Sequence, residues 1–521
     1  MSRCAFVALL LASWLATAKA ERINHEGRIL GPEPIVTAPT LFNTSAADTI
    51  VSALQIMPVD NAWNENISAR PLLSNSAAMI AQIKADLAAL AANRQTLRPF
   101  YEMNYVLVPE GQPRVPINFF NYPDESDLDG GSGTTGMYPI ALNTPVETWP
   151  RETGGLTLEQ WQRDVNNTGG DRHSIIVMPA TASIWETWLT RLLGTNWEAS
   201  NGAKFNLNSN ALRPAGWTSA DAAGLAMFPA LVRYDECQRG VVEHALRIIV
   251  AKTRREYIYP ATHYASTIPA TSTQYPAMGQ RLRLKSSFVI PASWTTAEKA
   301  VLVALKKYGA IVADNGGFFS ISVCPDDRFA ANAFDHLSTI DINNFEVIQT
   351  TGATQGPRSP GAPSVNAGGD QTVQFASAAT VSVLLNGTVS GTASLQWTKY
   401  SGPGTVTFGQ PASATTTAVF NAPGVYTLML RASDGIHAVA YDAVVVKVLP
   451  RVVISRTGND VVISFATAAG QRYAVERCGV LNCAEWGTVA NEILGTGGNV
   501  SVSDNGAVGE PRRFYRVVQS P

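Results

Sequence analysis

The segment 351–363, TGATQGPRSPGAP, limits how far any single hydrophobic core can extend along this chain of 521 residues. It is rich in glycine and proline and has no hydrophobic periodicity, which is typical of a linker between separately folded units. We therefore predict a domain at 21–350 before the linker. After it we predict a smaller domain at 364–448 and a terminal β module at 450–521.

The N-terminus carries the features of a secretory signal peptide. Residues 1–20 contain Arg3, an apolar run from Ala5 to Ala16, and a small-residue cleavage site ending at Ala20. No later stretch approaches the roughly 20 continuous apolar residues that a membrane-spanning helix needs. We predict a secreted, extracellular protein without an integral membrane segment, and we expect a monomer.

Composition favours a β protein. Only 15% of residues are charged, while there are 41 glycines and 30 prolines, a balance typical of short strands and many loops. Without the signal peptide, the chain has 37 basic and 41 acidic residues and is therefore slightly acidic. This net charge disfavours nucleic acid as a partner. We predict a mainly β fold, with a β-sandwich or jelly-roll-like first domain that includes a few helices.

Two helices are well marked in the first domain. Apolar residues recur at helical spacing after Ser76 as far as about Asn93, and a second helix is predicted over about Thr296 to Tyr308. Thr295 and Glu298 have the spacing of a capping box at the start of that second helix. Arg281, Arg283 and Lys285 alternate with leucines along a strand, so we expect them to share a solvated face.

A hairpin is predicted from residues 174–178 and 183–188, which are apolar runs joined by a short turn. Strand alternation places Ile184, Glu186 and Trp188 on one face and Trp185 on the other. A carboxylate among apolar and aromatic neighbours has a raised pKa, which suits a general acid. The alternative is an exposed edge charge that discourages aggregation.

The stretch 206–250 concentrates potential chemistry. Turn-forming residues crowd between two strand-like runs, and loops held by a rigid sheet are where catalytic residues usually lie. Acids, a tryptophan and a histidine fall within this stretch: Trp217, Asp221, Asp235, Glu236 and His244. We expect an active site here if the domain has one.

Our leading hypothesis is a secreted glycoside hydrolase that acts on an extracellular polysaccharide such as a β-glucan. This chemistry requires two carboxyl groups near the scissile bond, and it requires no cofactor. Glu186 is the predicted acid/base and Asp221 its partner, with Asp235 and Glu236 as further candidates. Trp185, Trp188, Trp217 and Arg247 are the predicted substrate-binding side chains.

Two alternatives come from other classes of protein. A divalent metal held by His173, His244 and His263 is the basis of a metal-dependent carbohydrate-active enzyme, although no pair has the spacing of a known metal motif. A non-catalytic glycan-binding or surface protein needs aromatic and polar groups but no matched carboxyl pair. The acidic loop 122–133 is a candidate cation site that lacks EF-hand spacing.

Four cysteines remain after removal of the signal peptide. Cys478 and Cys483 would close a short loop in the terminal module. Cys237 and Cys324 would then form a second disulfide in the first domain, with two free buried thiols as the alternative.

Residues 364–448 resemble the PKD family. The resemblance rests on the opening Val365 to Val373, the central Trp397, the Pro423 to Tyr426 turn, and the closing Ala432 to Gly435, which follow one another in family order. It implies an immunoglobulin-like sandwich that serves exported enzymes as a spacer or glycan-contacting accessory and carries no catalytic residues.

The two flanking regions also have resemblances. Residues 450–521 look like a C-terminal β module of many exported bacterial proteins, through a Tyr-x-Val-Glu strand and a final Phe-Tyr-Arg-Val strand. Residues 55–350 resemble an uncharacterised group of large exported bacterial proteins, through segments such as Asp171 to His173, 211–224 and Leu231 to Glu236. That resemblance implies one intact domain and no particular activity.

Overall fold

The computed structural model describes residues 21–375, 380–480, 483–509 and 512–519. The chain divides into two compact units, Asn24–Pro360 and Gly361–Pro521. Both are built mainly from strands, which confirms the predicted fold class. The predicted signal peptide lies outside the described residues. Within these ranges no helix has the length and apolar character needed to cross a membrane.

The first unit combines strands with short helices. In chain order its elements are β1 (Thr40–Leu41), α1 (Ser45–Ser52), α2 (Ser76–Leu90), β2 (Leu97–Tyr101), β3 (Val106–Leu107), β4 (Val115–Phe119), β5 (Thr135–Tyr138), α3 (Leu158–Gln162), β6 (Ser174–Met178), β7 (Ser183–Trp188), β8 (Arg191–Leu193), β9 (Asn196–Ala199), β10 (Asn201–Asn206), α4 (Tyr234–Arg239), β11 (Leu246–Val250), β12 (Arg281–Leu284), α5 (Thr296–Lys307), β13 (Ala310–Asn315), β14 (Phe319–Val323) and β15 (Phe345–Val347).

These strands form three sheets. Their orders are β1-β3-β6-β7-β10, β15-β12-β13-β11-β14-β2 and β5-β4-β9-β8. Strand β3 pairs with β6 in parallel, as do β4 with β9, β11 with β13, and β14 with β2. A jelly roll has antiparallel pairing throughout, so the sheets of the first unit follow a mixed topology instead.

Alternation along the predicted hairpin assigns the two faces of the five-stranded sheet. Strands β6 and β7 pair in antiparallel register, as predicted. Ile176 and Trp185 pack in a core shared with the four-stranded sheet, which makes a sandwich of these two layers. Ile175 and Ile184 face the larger core, to which the six-stranded sheet and helices α2 and α5 contribute.

Local sequence signals account for the two predicted helices. Thr295 and Glu298 form the expected capping box of α5, and Gly309, just after the helix, has a φ of +69°. Helix α2 begins at Ser76 as predicted, but the Ser76 hydroxyl accepts a hydrogen bond from the Val347 amide and does not cap the helix. Helix α4 was not predicted, because its acidic and polar residues lack an apolar stripe.

Two predictions about this unit are corrected by the structure, one about a solvated strand face and one about the linker boundary. Arg281 is buried and donates to the carbonyl groups of Ala62 and Tyr308, so that face is not solvated. Arg358, within the predicted linker, is tied to Glu65 at 3.2 Å, and residues up to Pro360 belong to the first unit.

The second unit contains two small all-β regions. Its strands are β16 (Ser364–Asn366), β17 (Gln371–Gln374), β18 (Val381–Asn386), β19 (Thr388–Ser390), β20 (Ser394–Ser401), β21 (Val406–Phe408), β22 (Thr415–Phe420), β23 (Gly424–Ser433), β24 (Ala440–Leu449), β25 (Val452–Thr457), β26 (Asp460–Ala466), β27 (Arg472–Cys478), β28 (Gly487–Leu494), β29 (Asn499–Asp504) and β30 (Phe514–Gln519).

Each region has two principal sheets over its own core. The sheets β17-β24-β23-β20 and β18-β22-β21 enclose a core that includes Trp397, whose indole N–H donates to the Ser413 carbonyl at 3.0 Å. The sheets β25-β26-β29 and β28-β27-β30 share a second core around Tyr473. The sandwich that the PKD resemblance implies is therefore present.

The cysteines follow the predicted pairing in the second unit only. Cys478 and Cys483 are disulfide-bonded. Cys237 and Cys324 are buried free thiols, so the predicted pair between them is wrong. Each is packed into the large apolar core, Cys237 on α4 and Cys324 just after β14, and sequence spacing carries no information about their orientation there.

Candidate functional site

Arg247 is the centre of a buried polar cluster in the first unit. It lies on β11, next to Ile248, which pairs with Ile321 of β14, so Arg247 lies opposite Ser322. Its Nη1 donates to the Ser322 hydroxyl at 3.2 Å. Its Nε and Nη2 both reach Asp221 Oδ1, at 3.2 and 3.0 Å. Arg247 and Asp221 therefore form a buried pair in which two N–H groups serve one oxygen.

Two further carboxylates approach the same guanidinium and keep contact with solvent. Glu102, directly after β2, places Oε1 at 3.5 Å from Nη1, and Asp314, on β13, places Oδ2 at 3.4 Å from Nη2. Their side chains are 18% and 28% exposed, whereas the Asp221 side chain is fully buried. These contacts with Arg247 are long for hydrogen bonds. Each carboxyl group is also held by another donor: the Ser322 hydroxyl donates to Glu102 Oε1, and the Asn315 backbone amide donates to Asp314 Oδ1 at 2.7 Å.

His173 supplies a second positive charge. Its Nδ1 lies 2.8 Å from Glu147 Oε2, and its Nε2 lies 3.0 Å from the carbonyl oxygen of Ala220, the residue before Asp221. Both ring nitrogens therefore face acceptors, as in a protonated imidazole. Burial opposes that charge, but the charge and hydrogen bond of Glu147 outweigh it and raise the pKa of His173 to about 9.

Glu186 is enclosed by protein on every side. It lies on the β7 face that alternation assigned to it, with no exposed surface. Its carboxylate accepts hydrogen bonds from the backbone amides of Met227 and Phe228, at 2.9 to 3.0 Å. Burial raises its pKa to about 7, although the two amides act in the opposite direction.

The cluster has more acids than cations, and the pKa values reflect this. Burial is the largest cause of each upward shift, and nearby carboxylates add to it. The pKa of Glu102 is raised to about 7 and that of Asp314 to about 6, with Arg247 limiting both shifts. Asp221 also has a raised pKa, while His173 holds the pKa of Glu147 low.

Asp235 and Glu236 belong to a different ion cluster, on α4. Arg239 pairs with Asp235 at 2.5 Å, and Arg233 pairs with Glu236 at 2.6 Å. His244 Nε2 lies 3.1 Å from Glu236 Oε2. These groups are ion-paired with one another inside the fold, and Arg233 Nε and Asp235 Oδ1, which are 3.4 Å apart, make no hydrogen bond within the described part of the chain. The structure thus places Asp221 beside Arg247, whereas Asp235 and Glu236 belong to a separate network of ion pairs.

The predicted aromatic platforms differ in exposure. Trp185 is core, and its indole N–H donates to Asp129 Oδ2 at 2.7 Å, so the prediction that it binds substrate is wrong. Trp188 is half-buried, with its ring centre 6.3 Å from that of Tyr122. Trp217 is also half-buried and lies beneath the guanidinium of Arg213, at 5.5 Å.

The three predicted metal ligands do not converge. Among the residues with described positions, no group of three His, Cys, Asp or Glu side chains is arranged to hold a metal ion. His173 and His244 face different carboxylates, and His263 Nδ1 lies 2.7 Å from the Ala222 carbonyl oxygen. A doubly hydrogen-bonded, protonated His173 has no lone pair to offer a metal.

The acidic loop 122–133 is held by cations of the protein itself. Asp127 pairs with Arg213, and Asp129 pairs with Arg114 and, at 2.7 Å, with Lys204. Glu125 accepts a hydrogen bond from the Thr218 amide at 2.8 Å. The loop therefore fastens the segment around Trp217 to the sheets.

Sequence reasoning missed Glu102, Glu147 and Asp314 as site residues. Asp314 directly follows the apolar run of β13, so an acid at the end of a buried strand was the available signal. Glu102 likewise follows β2. Glu147 carried no local signal, because its partner is the distant His173.

One comparison with known proteins concerns the second unit. Residues 367–448 match a family model for the PKD domain. This part of the chain is a PKD domain. No curated protein matches the chain. An adhesin of Yersinia pseudotuberculosis, InvE, is similar to 33% of this chain over 58% of its own length, with 12% identity and a TM-score of 0.17, which is too slight to inform fold or function.

Proposed function

We propose that the first unit is an exported hydrolase of polysaccharide glycosidic bonds and that Glu102 and Asp314 are its carboxyl pair. The observation that carries this proposal is their arrangement around Arg247: two partly exposed carboxyl groups flank one buried guanidinium. Burial gives them pKa values of about 7 and about 6. Pairs of carboxyl groups with separated pKa values are what acid/base cleavage of a glycoside requires.

The two groups would divide the work by their affinity for a proton. Glu102, with the higher pKa, donates its proton to the leaving oxygen as the bond from the sugar carbon to that oxygen breaks. Asp314, which ionises at lower pH, supports the sugar cation or accepts a proton from the attacking water. Arg247 orients both carboxyl groups, and Asp221 anchors Arg247 from the buried side.

Glu186 and Asp221, the pair predicted from sequence, have a supporting role in this proposal. Neither has exposed surface that a sugar could reach. The negative charge of Asp221 raises the pKa of Asp314, which favours retention of a proton there, while Glu186 holds the backbone amides of Met227 and Phe228 in place. The PKD domain supports the exported, carbohydrate-oriented part of the proposal, because its resemblance implies a spacer or glycan-contacting accessory.

The test is release of reducing sugars by the purified full-length chain from a panel of β-glucans, xylan and uronate polymers. We expect release that survives EDTA and falls at least about 100-fold in Glu102→Gln and in Asp314→Asn, as loss of a general acid or base predicts. Asp124→Asn, a change at an acid outside the cluster, is the matched control and should leave release unchanged.

Three other outcomes would support different catalytic residues or a different class of protein. Release that persists in Glu102→Gln but vanishes in folded Glu186→Gln or Asp221→Asn would return the catalytic role to the pair predicted from sequence. Release abolished by EDTA would favour a metal-dependent enzyme. Binding of a polysaccharide without release from any polymer would favour a non-catalytic glycan-binding protein.

A further inference from the structure

A cavity of about 460 Å³ opens on the first unit, in a part of the fold that the carboxyl pair does not use. Its size is within the range of small-molecule sites. Its lining combines two guanidinium groups, one carboxylate, amide and hydroxyl groups and one aromatic ring: Phe120, Asp164, Asn167, Thr168, Arg172 and Arg191.

One wall is a loop held in an unusual backbone conformation. Asp164 and Asn167 both have φ values of +51°, as does Arg172. The Asp164 carboxylate accepts a hydrogen bond from the Thr168 amide at 3.0 Å, which fixes the turn. Asp and Asn tolerate a positive φ, so the strain that the surrounding structure must hold lies mainly at Arg172, and strained residues cluster at ligand sites.

Arg172 anchors that wall from beneath. Its Nε donates to the Thr190 carbonyl at 2.9 Å, and its Nη2 donates to the carbonyl groups of Trp161 and Gln162. Its Nη1 lies 3.4 Å from Asp164 and makes no hydrogen bond in the described structure. Arg172 thus brings a fixed positive charge to the cavity floor, only partly balanced by Asp164.

Arg191 and Phe120 form the opposite, more exposed side. Both side chains are 40% exposed, and the guanidinium lies 5.7 Å from the ring centre. Arg191 also pairs with Glu198, which limits its rotation. An exposed aromatic face beside an oriented guanidinium suits a ring-shaped ligand that carries a carboxylate.

We propose that this cavity binds an acidic sugar unit, a uronate, of the polysaccharide on which the enzyme acts. Arg172 lies near Asp164 and Arg191 pairs with Glu198, but among the described residues Arg172 Nη1 makes no hydrogen bond, and the Arg191 side chain is 40% exposed and bonds Glu198 only through Nε. Both guanidinium groups therefore keep N–H donors for a carboxylate ligand. Phe120 offers a face for the sugar ring, and Asn167 and Thr168 offer hydrogen bonds to its hydroxyl groups. The inference rests on the proposed function, because it names the class of polymer that the carboxyl pair would cleave.

The test is calorimetric binding of short oligogalacturonates and oligoglucuronates to the full-length Asp314→Asn variant, with neutral cello-oligosaccharides for comparison. We expect the acidic oligomers to bind about tenfold or more tightly than the neutral ones, as one hydrogen-bonded charge pair provides. Their affinity should also fall at high salt.

Three variants locate the site. Arg191→Ala should weaken binding of acidic oligomers about tenfold or more. Asn167→Asp keeps a residue type that tolerates positive φ and adds a negative charge, so it should weaken acidic oligomers selectively. Arg472→Ala is the matched control, because Arg472 is a half-exposed arginine paired with Glu492 in the second unit.

Equal affinity for neutral and acidic oligomers, or unchanged binding in both Arg191→Ala and Asn167→Asp, would overturn the inference. These outcomes are separate from failure of the proposed function, because binding is measured without turnover. If acidic oligomers bind as expected while no polymer is cleaved, only the hydrolase proposal fails. If uronate polymers are cleaved while the cavity variants bind normally, only the cavity inference fails.

Discussion

Substitution of Glu186 by glutamine should reverse its effect on stability between acidic and alkaline pH. The pKa of Glu186 is raised to about 7, from an ordinary value of 4.5. The folded state therefore holds this proton over a range in which the unfolded state has lost it. Stability then falls as pH rises from about 4.5 to about 7, and the full loss corresponds to about 3 kcal/mol.

Glutamine removes the ionisation and keeps the shape. Near pH 5 the variant should be less stable than the wild type by about 1 kcal/mol, because its NH₂ group cannot accept from the Met227 amide. Between pH 5 and pH 8 the wild type loses about 2 to 3 kcal/mol through Glu186 alone. The variant should therefore be the more stable protein at pH 8.

Urea denaturation of the full-length chain at both pH values measures this effect. Eight of the eleven tryptophans lie between Trp63 and Trp294, so fluorescence reports mainly on the first unit. Titrating groups that do not interact with Glu186 act equally on both proteins and cancel in the difference. Glu110→Gln, at an exposed position, should show no pH-dependent difference. If the stability difference between Glu186→Gln and the wild type is equal at pH 5 and pH 8, the assignment of its pKa is refuted.

Further predictions concern the same unit. Hydrolysis should show a bell-shaped pH dependence of kcat/KM with limbs near pH 6 and pH 7, because Asp314 must be ionised and Glu102 protonated, and a flat profile would contradict these roles. Arg247→Met should lower the free energy of unfolding by about 3 to 5 kcal/mol, measured by urea denaturation, because it leaves buried carboxylate without its cation. A thiol reagent should label Cys237 and Cys324 only after denaturation, since burial raises both thiol pKa values, and rapid labelling of the native protein would contradict their burial.

Local patterns predicted those parts of the fold that depend on neighbours in sequence. The alternation in 183–188 assigns Ile184 and Trp185 to opposite cores because side chains on a strand alternate faces wherever the strand is placed. The capping box at Thr295 fixes the start of α5 because its two hydrogen bonds span only three residues. Such signals do not depend on the rest of the chain.

The candidate site could not be read in the same way, because its contacts join distant segments. Glu102 and Asp314 are separated by about two hundred residues and meet only through Arg247. Glu186 lies on the strand face that alternation predicts. Its burial could not be predicted, because its carboxylate binds backbone amides of a distant loop. Arginine is usually a surface residue, so the residue type alone does not predict that Arg281 is buried. It is buried because carbonyl oxygens from two other segments accept its N–H groups.

The supporting role of Asp221 has its own test. Asp221 raises the pKa of Asp314 by its negative charge, and it also occupies part of the guanidinium of Arg247. Asp221→Asn removes that charge and leaves Arg247 to act more strongly on Asp314, so both effects lower the pKa of Asp314. If Asp221 positions and does not catalyse, the variant should remain active, with the acidic limb of its pH profile moved to lower pH. A folded variant that is inactive at every pH would instead show that Asp221 takes part in the reaction itself.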